Sequence, residues 1–320
     1  MQDALNADAS DTTTQAEWFQ RIEDIGEELG YFEPLGAKHS AFFVDDTTTL
    51  LVTFETVANI RESGEGQMPL GHTIAKAQGW SHLCIIADGD TWYRDVAVYR
   101  FFDRLTDDAF FEDFDRVVFY GAEMGGYAAA AYSVTAPGAV VLAVQPVATL
   151  DPAIVPWDTR FPGTRRLDFG DRYGYAPDMT EGAGDVFVAY DPALVPDAMQ
   201  AALFTLPHVV KLRCPNIGPK LEAALQGMGI LPDLIAAAGK GELSVERFAK
   251  LYRARRDYTP YQRALLRRLD RVNRPFLGAI ACRALLARHP SPRYQRRLEA
   301  LTELLGAKGV HLPERTSQSA

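Results

Sequence analysis

Residues 116–131 read RVVFYGAEMGGYAAAA and constrain the fold more than any other stretch of the chain. An apolar run of strand type ends at Gly121, and a helix of small residues follows Gly125 and Gly126. Glycines at such positions let a strand and a helix approach closely, and the residue between them is held exposed in an unfavourable backbone conformation. The sequence therefore predicts a sharp strand–turn–helix with Glu123 as the exposed residue.

Further apolar runs alternate with helical segments on both sides of this turn. Such runs are typical of strands that are buried on both faces, and their alternation with helices predicts an α/β fold with a doubly wound, mostly parallel sheet. Near the N-terminus, β-rich runs at 40–44 and 49–55 are separated by Asp45-Asp46-Thr47, which indicates a hairpin or a tight connection. The later strand-like runs are 82–87, 116–120, 139–144, 185–190 and 208–212.

Charge divides the chain into two parts. Residues 1–239 carry 15 Lys and Arg against 35 Asp and Glu, whereas residues 240–320 carry 18 against 7. From 243 to 307 the apolar residues recur at helical spacing, and breaks at Pro260 and at Pro290-Ser291-Pro292 predict three helices. The predicted organisation is a disordered leader (1–16), an α/β domain (17–239) with an irregular lid-like insert (about 149–184), an all-helical basic C-terminal extension (240–310) and a frayed tail (311–320).

Composition excludes several classes of protein. No apolar run is long enough to span a bilayer, and the polar N-terminus lacks the pattern of a secretory signal. Three cysteines, Cys84, Cys214 and Cys282, lie far apart, which predicts a reduced, cytoplasmic setting. Because nucleotide-binding loops and clustered Cys/His motifs are absent from the sequence, no cofactor and no metal are predicted.

The segment FYGAEMGGYAAAAYS, followed by APGAVVLAVQP, resembles the elbow of serine α/β-hydrolases, G-x-S-x-G, with Glu123 in the place of the serine. More narrowly, it is similar to a bacterial subgroup of uncharacterised hydrolase-like proteins, some of them associated with surface-polysaccharide or glycosyltransferase systems. The resemblance covers about residues 32–227. A dinucleotide-binding turn is the main alternative, but it requires glycine at position 123 and an acidic residue where Gln145 stands.

The resemblance implies roles for particular positions. Glu123 falls on the nucleophile, and the amide of Met124 on one oxyanion-hole donor. The loop near Thr56 falls on the second donor, and Asp191 on the triad acid. The triad histidine belongs in the loop after the last strand, residues 213–218, where the sequence has none.

The two carboxylates at these positions admit more than one interpretation. Glu123 either acts as a covalent nucleophile or folds back onto the N–H groups at the start of its own helix. Asp191 either keeps the place of a triad acid or caps the helix that Pro192 opens.

Aromatic and basic residues follow the strand at 82–87, on the side of such a sheet where ligands bind. Trp92, Tyr93 and Arg94 are predicted to form a pocket wall in which Arg94 contacts an anion. The alternative is ordinary packing of the two aromatics under a loop. The ligand is expected to be a small molecule or a glycan-related compound.

The missing hydroxyl and imidazole predict a catalytically degenerate α/β-hydrolase-like protein that acts as a cytoplasmic binding or accessory module. One alternative is an active hydrolase of an ester, acyl or glycan-derived substrate with a carboxylate site. Another is an interaction protein that binds an anionic partner through its basic helices. Docking of these helices on the acidic body, with Arg267 and Arg268 near body carboxylates, is favoured over nucleic-acid binding.

Overall fold

An eight-stranded sheet forms the centre of the protein, of which the computed structural model describes residues 8–313. The strand order is β1-β2-β4-β3-β5-β6-β7-β8. β2 runs antiparallel to β1 and β4, and all other neighbouring pairs are parallel, which confirms the predicted mostly parallel α/β sheet. The strands are β1 (Gly30–Leu35), β2 (His39–Val44), β3 (Thr49–Thr56), β4 (Ser81–Ala87), β5 (Arg116–Ala122), β6 (Val140–Val144), β7 (Asp185–Tyr190) and β8 (Val209–Arg213).

Helices cover both faces of this sheet and continue beyond it. Nine α-helices lie between residues 8 and 239: α1 (Gln15–Leu29), α2 (Val57–Ser63), α3 (Leu70–Gln78), α4 (Val96–Asp107), α5 (Met124–Tyr132), α6 (Ala176–Met179), α7 (Val195–Ala202), α8 (Leu221–Gly227) and α9 (Leu231–Gly239). Four more follow: α10 (Val245–Leu251), α11 (Thr259–Arg271), α12 (Pro275–Arg288) and α13 (Pro292–Gly306).

Alternate residues of the central strands enter different cores. In β5, Phe119 packs in the cluster that contains α4 and α5, whereas Val118 and Tyr120 pack on the other face, against α8 and α9. This is the period of two that the pleat of a strand imposes. Because both faces are covered, the strands are apolar throughout, which is why they could be recognised in the sequence.

The first strands depart from the sequence prediction. β2 and β3 do not pair, because β4 lies between them, so the hairpin alternative for 40–44 and 49–55 is wrong and the tight connection is right. The hairpin instead joins β1 to β2, with Gly36 at a φ of 69° in its turn.

Residues 8–14 pack against the body. Ala9 is fully buried, and its N–H donates to the carbonyl of Gly66 at 2.8 Å. Thr14 and Glu17 form a capping box, so α1 begins at Gln15. The predicted disordered leader is therefore wrong for residues 8–16; residues 1–7 lie outside the described part of the chain. Of the predicted frayed tail, only residues 311–313 are described.

The extension after residue 239 contains four helices rather than three. The additional break separates α11 from α12 at Asn273, which has a φ of 49°. α10 belongs to the body, since Phe248 and Tyr252 pack in the same apolar cluster as α8 and α9. The last three helices enclose a smaller core of their own, formed by Leu266, Cys282, Leu285 and Tyr294.

The extension contacts the body through the apolar packing of Phe248 and Tyr252, and within residues 8–313 it forms no ion pair with the body. Arg268 donates to the side-chain oxygen of Asn216 at 2.9 Å, and Arg267 donates to the carbonyl of Arg263 in its own helix. The prediction that Arg267 and Arg268 approach body carboxylates is therefore wrong. Within residues 8–313, every ion pair of the extension is internal to it: Arg288–Asp257, His289–Asp257 and Arg297–Asp270.

Across the described range, no helix alone has the length and apolar character needed to cross a membrane. α8 and α9 would meet those criteria only as a pair, and they are bent by 97° at their junction.

Candidate functional site

The turn between β5 and α5 has the geometry that its glycines predict. Glu123 has a φ of 52° and a ψ of −113°, and its N–H donates to the carbonyl of Val144 at 2.9 Å. A Cβ atom on Gly121 would lie 2.1 Å from the carbonyl oxygen of Gly125, and one on Gly125 would lie 2.3 Å from that of Phe54. Glycine is therefore required at both positions for the strand and the helix to approach, and Glu123 takes the strained conformation between them.

The Glu123 side chain is exposed and does not fold back. It forms no capping hydrogen bond with α5, so the expected interaction with the helix N-terminus is absent. Partial desolvation raises the pKa of the Glu123 carboxyl, and the Asp197 carboxylate raises it further, while Lys220 and Arg160 oppose the shift. Among the described residues, no hydrogen bond reaches this carboxylate.

The two residues expected to supply oxyanion-hole donors lie on either side of the elbow. Met124 is the first residue of α5; its side chain is buried, and its sulfur accepts a hydrogen bond from the N–H of Trp92 at 2.9 Å. Thr56 ends β3 and caps α2, since its Oγ1 accepts from the N–H of Asn59 at 3.1 Å. The Thr56 hydroxyl is therefore already used in a hydrogen bond with the first turn of α2.

Asp191 follows β7 at the same edge of the sheet and is 1% exposed. Its Oδ1 accepts from the backbone N–H groups of Ala193 (2.8 Å) and Asn216 (3.1 Å). Its Oδ2 accepts from those of Ile217 and Gly218, both at 2.8 Å. The loop in which the resemblance places a histidine therefore wraps its own backbone around the acid.

Two details explain this wrapping. Asn216 and Gly218 have φ values of 66° and 96°, which turn successive N–H groups of the loop towards one point. The helix after Asp191 starts only at Val195, with Leu194 as its N-cap, so the expected capping role of Asp191 is wrong. Asp191 instead closes a short turn onto Ala193 and holds the loop.

Among the described residues, no histidine hydrogen-bonds to Glu123. His39 lies on β2, three strands from β5, and hydrogen-bonds to the Thr91 hydroxyl at 2.7 Å; burial lowers its pKa to about 4. His82 hydrogen-bonds to Thr53, and His208 to the carbonyl of Thr180. His72 is buried on α3, and His289 is paired with Asp257 in the extension.

The interpretation of Trp92, Tyr93 and Arg94 as a pocket wall does not fit the structure. Trp92 and Tyr93 are 3% and 0% exposed, and both have positive φ angles. Arg94 is buried, and its guanidinium donates to the backbone carbonyls of Asp168 and Arg172. The expected anion contact is wrong, because these donors are used to hold the insert at 149–184; packing is the interpretation that fits.

A polar network beside Glu123 was not foreseen. Gln145, at the end of β6 with a φ of 52°, donates to Asp197 at 2.7 Å. Arg160 donates to the other oxygen of Asp197 at 2.5 Å and to both oxygens of Asp158. Gln200 also donates to Asp158, at 2.9 Å. The network holds the insert at 149–184 over the edge of the sheet. In the sequence, its one indication is the polar residue Gln145 at the end of an apolar strand.

Two further carboxylates lie near this edge. Glu222 is half-buried and accepts a hydrogen bond from the Tyr120 hydroxyl at 2.5 Å; burial raises its pKa to about 7. Glu55 accepts from the N–H groups of Leu70 and Gly71, which open α3. Burial raises the pKa of Glu55 despite these hydrogen bonds.

Within residues 8–313, one group of side chains has the spacing of metal ligands: the ligand atoms of Glu55, His82 and Cys84 lie within 4.8 Å of one another. The Glu55 carboxylate already accepts hydrogen bonds from the N–H groups at the start of α3. The Thr53 hydroxyl lies between the Glu55 carboxylate, at 3.0 Å, and the His82 ring, at 2.9 Å. Burial raises the pKa of the Cys84 thiol and so disfavours the thiolate that binds metal. The group is thus a hydrogen-bonded part of the core.

Neither a protein-family model nor a curated protein sequence matches this chain. Solved structures do match at low identity. A thermostable carboxylesterase cloned from a metagenomic library is 14% identical, with a TM-score of 0.43 over 72% of this chain and 98% of that one. An esterase domain from Rhodothermus marinus is 15% identical, with a TM-score of 0.40 over 65% and 96%.

A glycosylation-associated protein complex from Streptococcus agalactiae is 13% identical, with a TM-score of 0.42 over 62% of this chain. The present chain spans 44% of the length of that one. The strand order, the antiparallel second strand and the strained residue at the turn after β5 give this protein an α/β-hydrolase fold.

Proposed function

We propose that the protein is a catalytically inactive, hydrolase-like module that binds a polar ligand at the carboxyl edge of its sheet. The observation that carries this proposal is the state of Asp191, whose two oxygens accept four backbone N–H groups. In a hydrolytic triad this carboxylate must accept a hydrogen bond from an imidazole, which it holds in the productive tautomer. Here the positions that an imidazole would fill are taken by the loop itself.

Glu123 supports the same conclusion. A carboxylate nucleophile supports turnover only if a base activates the water that releases the covalent intermediate. In the described residues, no histidine reaches Glu123. The charged groups that act on its carboxylate are Asp197, Lys220, Arg160 and Asp90. Such a surface offers acceptors and donors to the hydroxyl groups of a ligand but no imidazole to act as the base of a hydrolytic triad.

The proposed ligand class is a hydroxyl-rich compound, in keeping with the glycan-related ligand expected from the sequence. Binding can be measured with an array of neutral and acidic oligosaccharides, using the native protein, Glu123→Gln and the control Glu181→Gln. Glu181 is exposed, and it lies before β7 at the opposite edge of the sheet. We expect oligosaccharide binding that Glu123→Gln weakens and Glu181→Gln does not; equal binding by all three proteins would contradict the proposed site.

Catalytic inactivity is tested separately with p-nitrophenyl acetate and butyrate. We expect release of p-nitrophenol by the native protein to equal that of Glu123→Gln and of buffer. Turnover by the native protein that Glu123→Gln abolishes would overturn the proposed inactivity.

A hydrolase with an unconventional carboxylate site is the second candidate, and Glu222 favours it. Its carboxyl has a pKa of about 7, and the Glu123 charge contributes to that rise. Two carboxyl groups with raised pKa values at one edge can serve as an acid and a base. This candidate requires turnover with a bell-shaped pH profile that is lost in both Glu123→Gln and Glu222→Gln.

A further inference from the structure

A basic cleft lies between α11 and α13 in the extension, remote in sequence from the carboxylates described above. Its volume is about 330 Å³, which falls in the range of sites for small molecules. Buried Leu266 and Tyr294 supply its apolar lining. The remaining lining residues are four arginines: Arg263, Arg267, Arg293 and Arg297.

Three of these arginines lack an acidic partner. Arg297 pairs with Asp270. In the part of the chain that the structure describes, Arg263, Arg267 and Arg293 form no ion pair, and all three are exposed. Two other arginines of the extension have structural partners: Arg288 pairs with Asp257, and Arg255 donates to the carbonyl of Tyr252. The cleft therefore carries an excess of about three positive charges.

The spacing of these arginines works against the helices that carry them. Arg263 and Arg267 are four residues apart on α11, and Arg293 and Arg297 are four apart on α13, so each pair places like charges side by side on one helix face. The Asp270 carboxylate, which pairs with Arg297, offsets part of this repulsion on α13, whereas within the described residues no acidic partner offsets the repulsion on α11. A bound anion would remove it.

The start of α13 adds to the positive potential. Arg293 lies in its first turn, where the helix dipole disfavours a cation. That turn contains no acidic residue, and Ser291 at the N-cap makes no side-chain hydrogen bond to it. The N–H groups of a 15-residue helix thus open beside the unpaired guanidinium groups.

We propose that this cleft binds a compact phosphorylated ligand with two adjacent phosphoryl groups. Guanidinium groups bind phosphate oxygens through paired, charge-assisted hydrogen bonds, and two phosphoryl groups allow both helices to contribute. The two helices confine the cleft, which favours a compact anion over an extended chain. The apolar lining from Tyr294 and Leu266 suits a ligand whose phosphoryl groups are attached to a less polar part.

The test is isothermal titration of the full chain with inorganic pyrophosphate, and with orthophosphate for comparison. We expect pyrophosphate to bind more tightly than orthophosphate, because its two phosphoryl groups offer more oxygens to the arginines of the two helices. The double variant Arg267→Gln, Arg293→Gln keeps good helix formers and should weaken pyrophosphate binding at least about tenfold. The matched control is Arg271→Gln, Arg296→Gln, which removes the same charge from the same two helices outside the cleft; it should change affinity less than about threefold.

Three results would overturn the proposal. One is no binding of pyrophosphate at millimolar concentration. Another is an equal loss in the cleft and control variants, which would make the effect one of net charge alone. The third is retention of heparin or single-stranded RNA without pyrophosphate binding, which would assign the surface to an extended polyanion. Circular dichroism and thermal unfolding of each variant establish that the helices remain folded.

Discussion

The turn at Glu123 and the loop around Asp191 lie at the same edge of one sheet, yet their carboxylates are in opposite states. Glu123 is exposed, its backbone is strained, and no described group donates a hydrogen bond to its side chain. Asp191 is 1% exposed and accepts four backbone N–H groups. One position combines a strained elbow backbone with an exposed carboxylate, and the other holds a buried carboxylate that supports a loop.

The difference shows that the backbone geometry of the elbow and the state of each carboxylate are determined by different contacts. The elbow is held by the close approach of Gly121 and Gly125 to neighbouring backbone, and this packing does not depend on which side chain stands at position 123. The loop at 213–218 depends on Asp191 itself, because its N–H groups point at that carboxylate. We therefore expect substitutions at the two positions to have opposite effects on stability.

The largest effect is expected from Asp191→Ala. It leaves four N–H groups without an acceptor, so the free energy of unfolding should fall by about 4 kcal/mol, as measured by urea denaturation. Asp185 begins the same strand and is exposed, so Asp185→Ala is the matched control, expected within about 0.5 kcal/mol of the native protein. A loss below about 1 kcal/mol in Asp191→Ala would mean that the loop does not rely on this carboxylate.

Gly125→Ala should have the next largest effect. Alanine is normally the better helix former by about 1 kcal/mol, so an unhindered substitution in α5 would stabilise the protein. Here the new Cβ would lie 2.3 Å from the Phe54 carbonyl oxygen, and we expect a net destabilisation of about 3 kcal/mol. Gly163, which has open space around it, serves as the control, since Gly163→Ala should change the midpoint of thermal unfolding little.

Much of the sheet could be predicted, because its central strands are apolar on both faces and the elbow glycines mark one turn. β1 could not, since its sequence GYFEPL contains Glu33 and Pro34 and only Leu35 is buried. The apparent hairpin between β2 and β3 was misleading for a different reason. A short connection in sequence does not show that β4, which comes later, will insert between the two strands.

The site was predictable in position but not in contacts. The glycine frame located Glu123, and the resemblance located Asp191. Three of the four partners of Asp191 lie 25 to 27 residues further along the chain and donate through backbone N–H groups, which no side-chain pattern reveals. Likewise, Gln145 and Asp197 hydrogen-bond to each other although they are 52 residues apart in the sequence. The sequence around Arg94 would look the same whether its guanidinium faced a ligand or, as observed, a buried backbone carbonyl.

A moderate, pH-dependent effect is expected from Glu222→Gln. Because burial raises the pKa of Glu222 from 4.5 to about 7, the folded protein binds this proton more tightly than the unfolded chain does. Native stability should therefore fall, relative to Glu222→Gln, as the pH rises from 4.5 to 7. With allowance for partial exposure, the relative change is roughly 2 kcal/mol, measurable by urea denaturation across this range. Glu112→Gln, at an exposed site, should show no such divergence.

The smallest effect, and the one of opposite sign, is expected at the elbow. A φ of 52° with a ψ of −113° is accessible without strain only to glycine, and strain of this kind costs about 1–3 kcal/mol. Replacing Glu123 by glycine removes this strain, but part of the stability gained is offset by the greater backbone entropy of glycine in the unfolded chain. Glu123→Gly should therefore stabilise the protein by about 1 kcal/mol, whereas Glu123→Gln, which keeps the strain, should leave the unfolding midpoint nearly unchanged.

If both Glu123 variants also lose oligosaccharide binding, the strained residue is retained for ligand contact at the expense of stability. If Glu123→Gly instead stabilises the protein and oligosaccharide binding is unchanged, Glu123 does not belong to the binding site. Ligand binding would then not explain the strained geometry of the elbow. Destabilisation by both variants would show that the Glu123 carboxylate supports the fold as Asp191 does, and the contrast between the two regions would fail. Because the first two outcomes differ in oligosaccharide binding and the third differs from both in the sign of the stability change, thermal unfolding and one binding assay are sufficient to separate them.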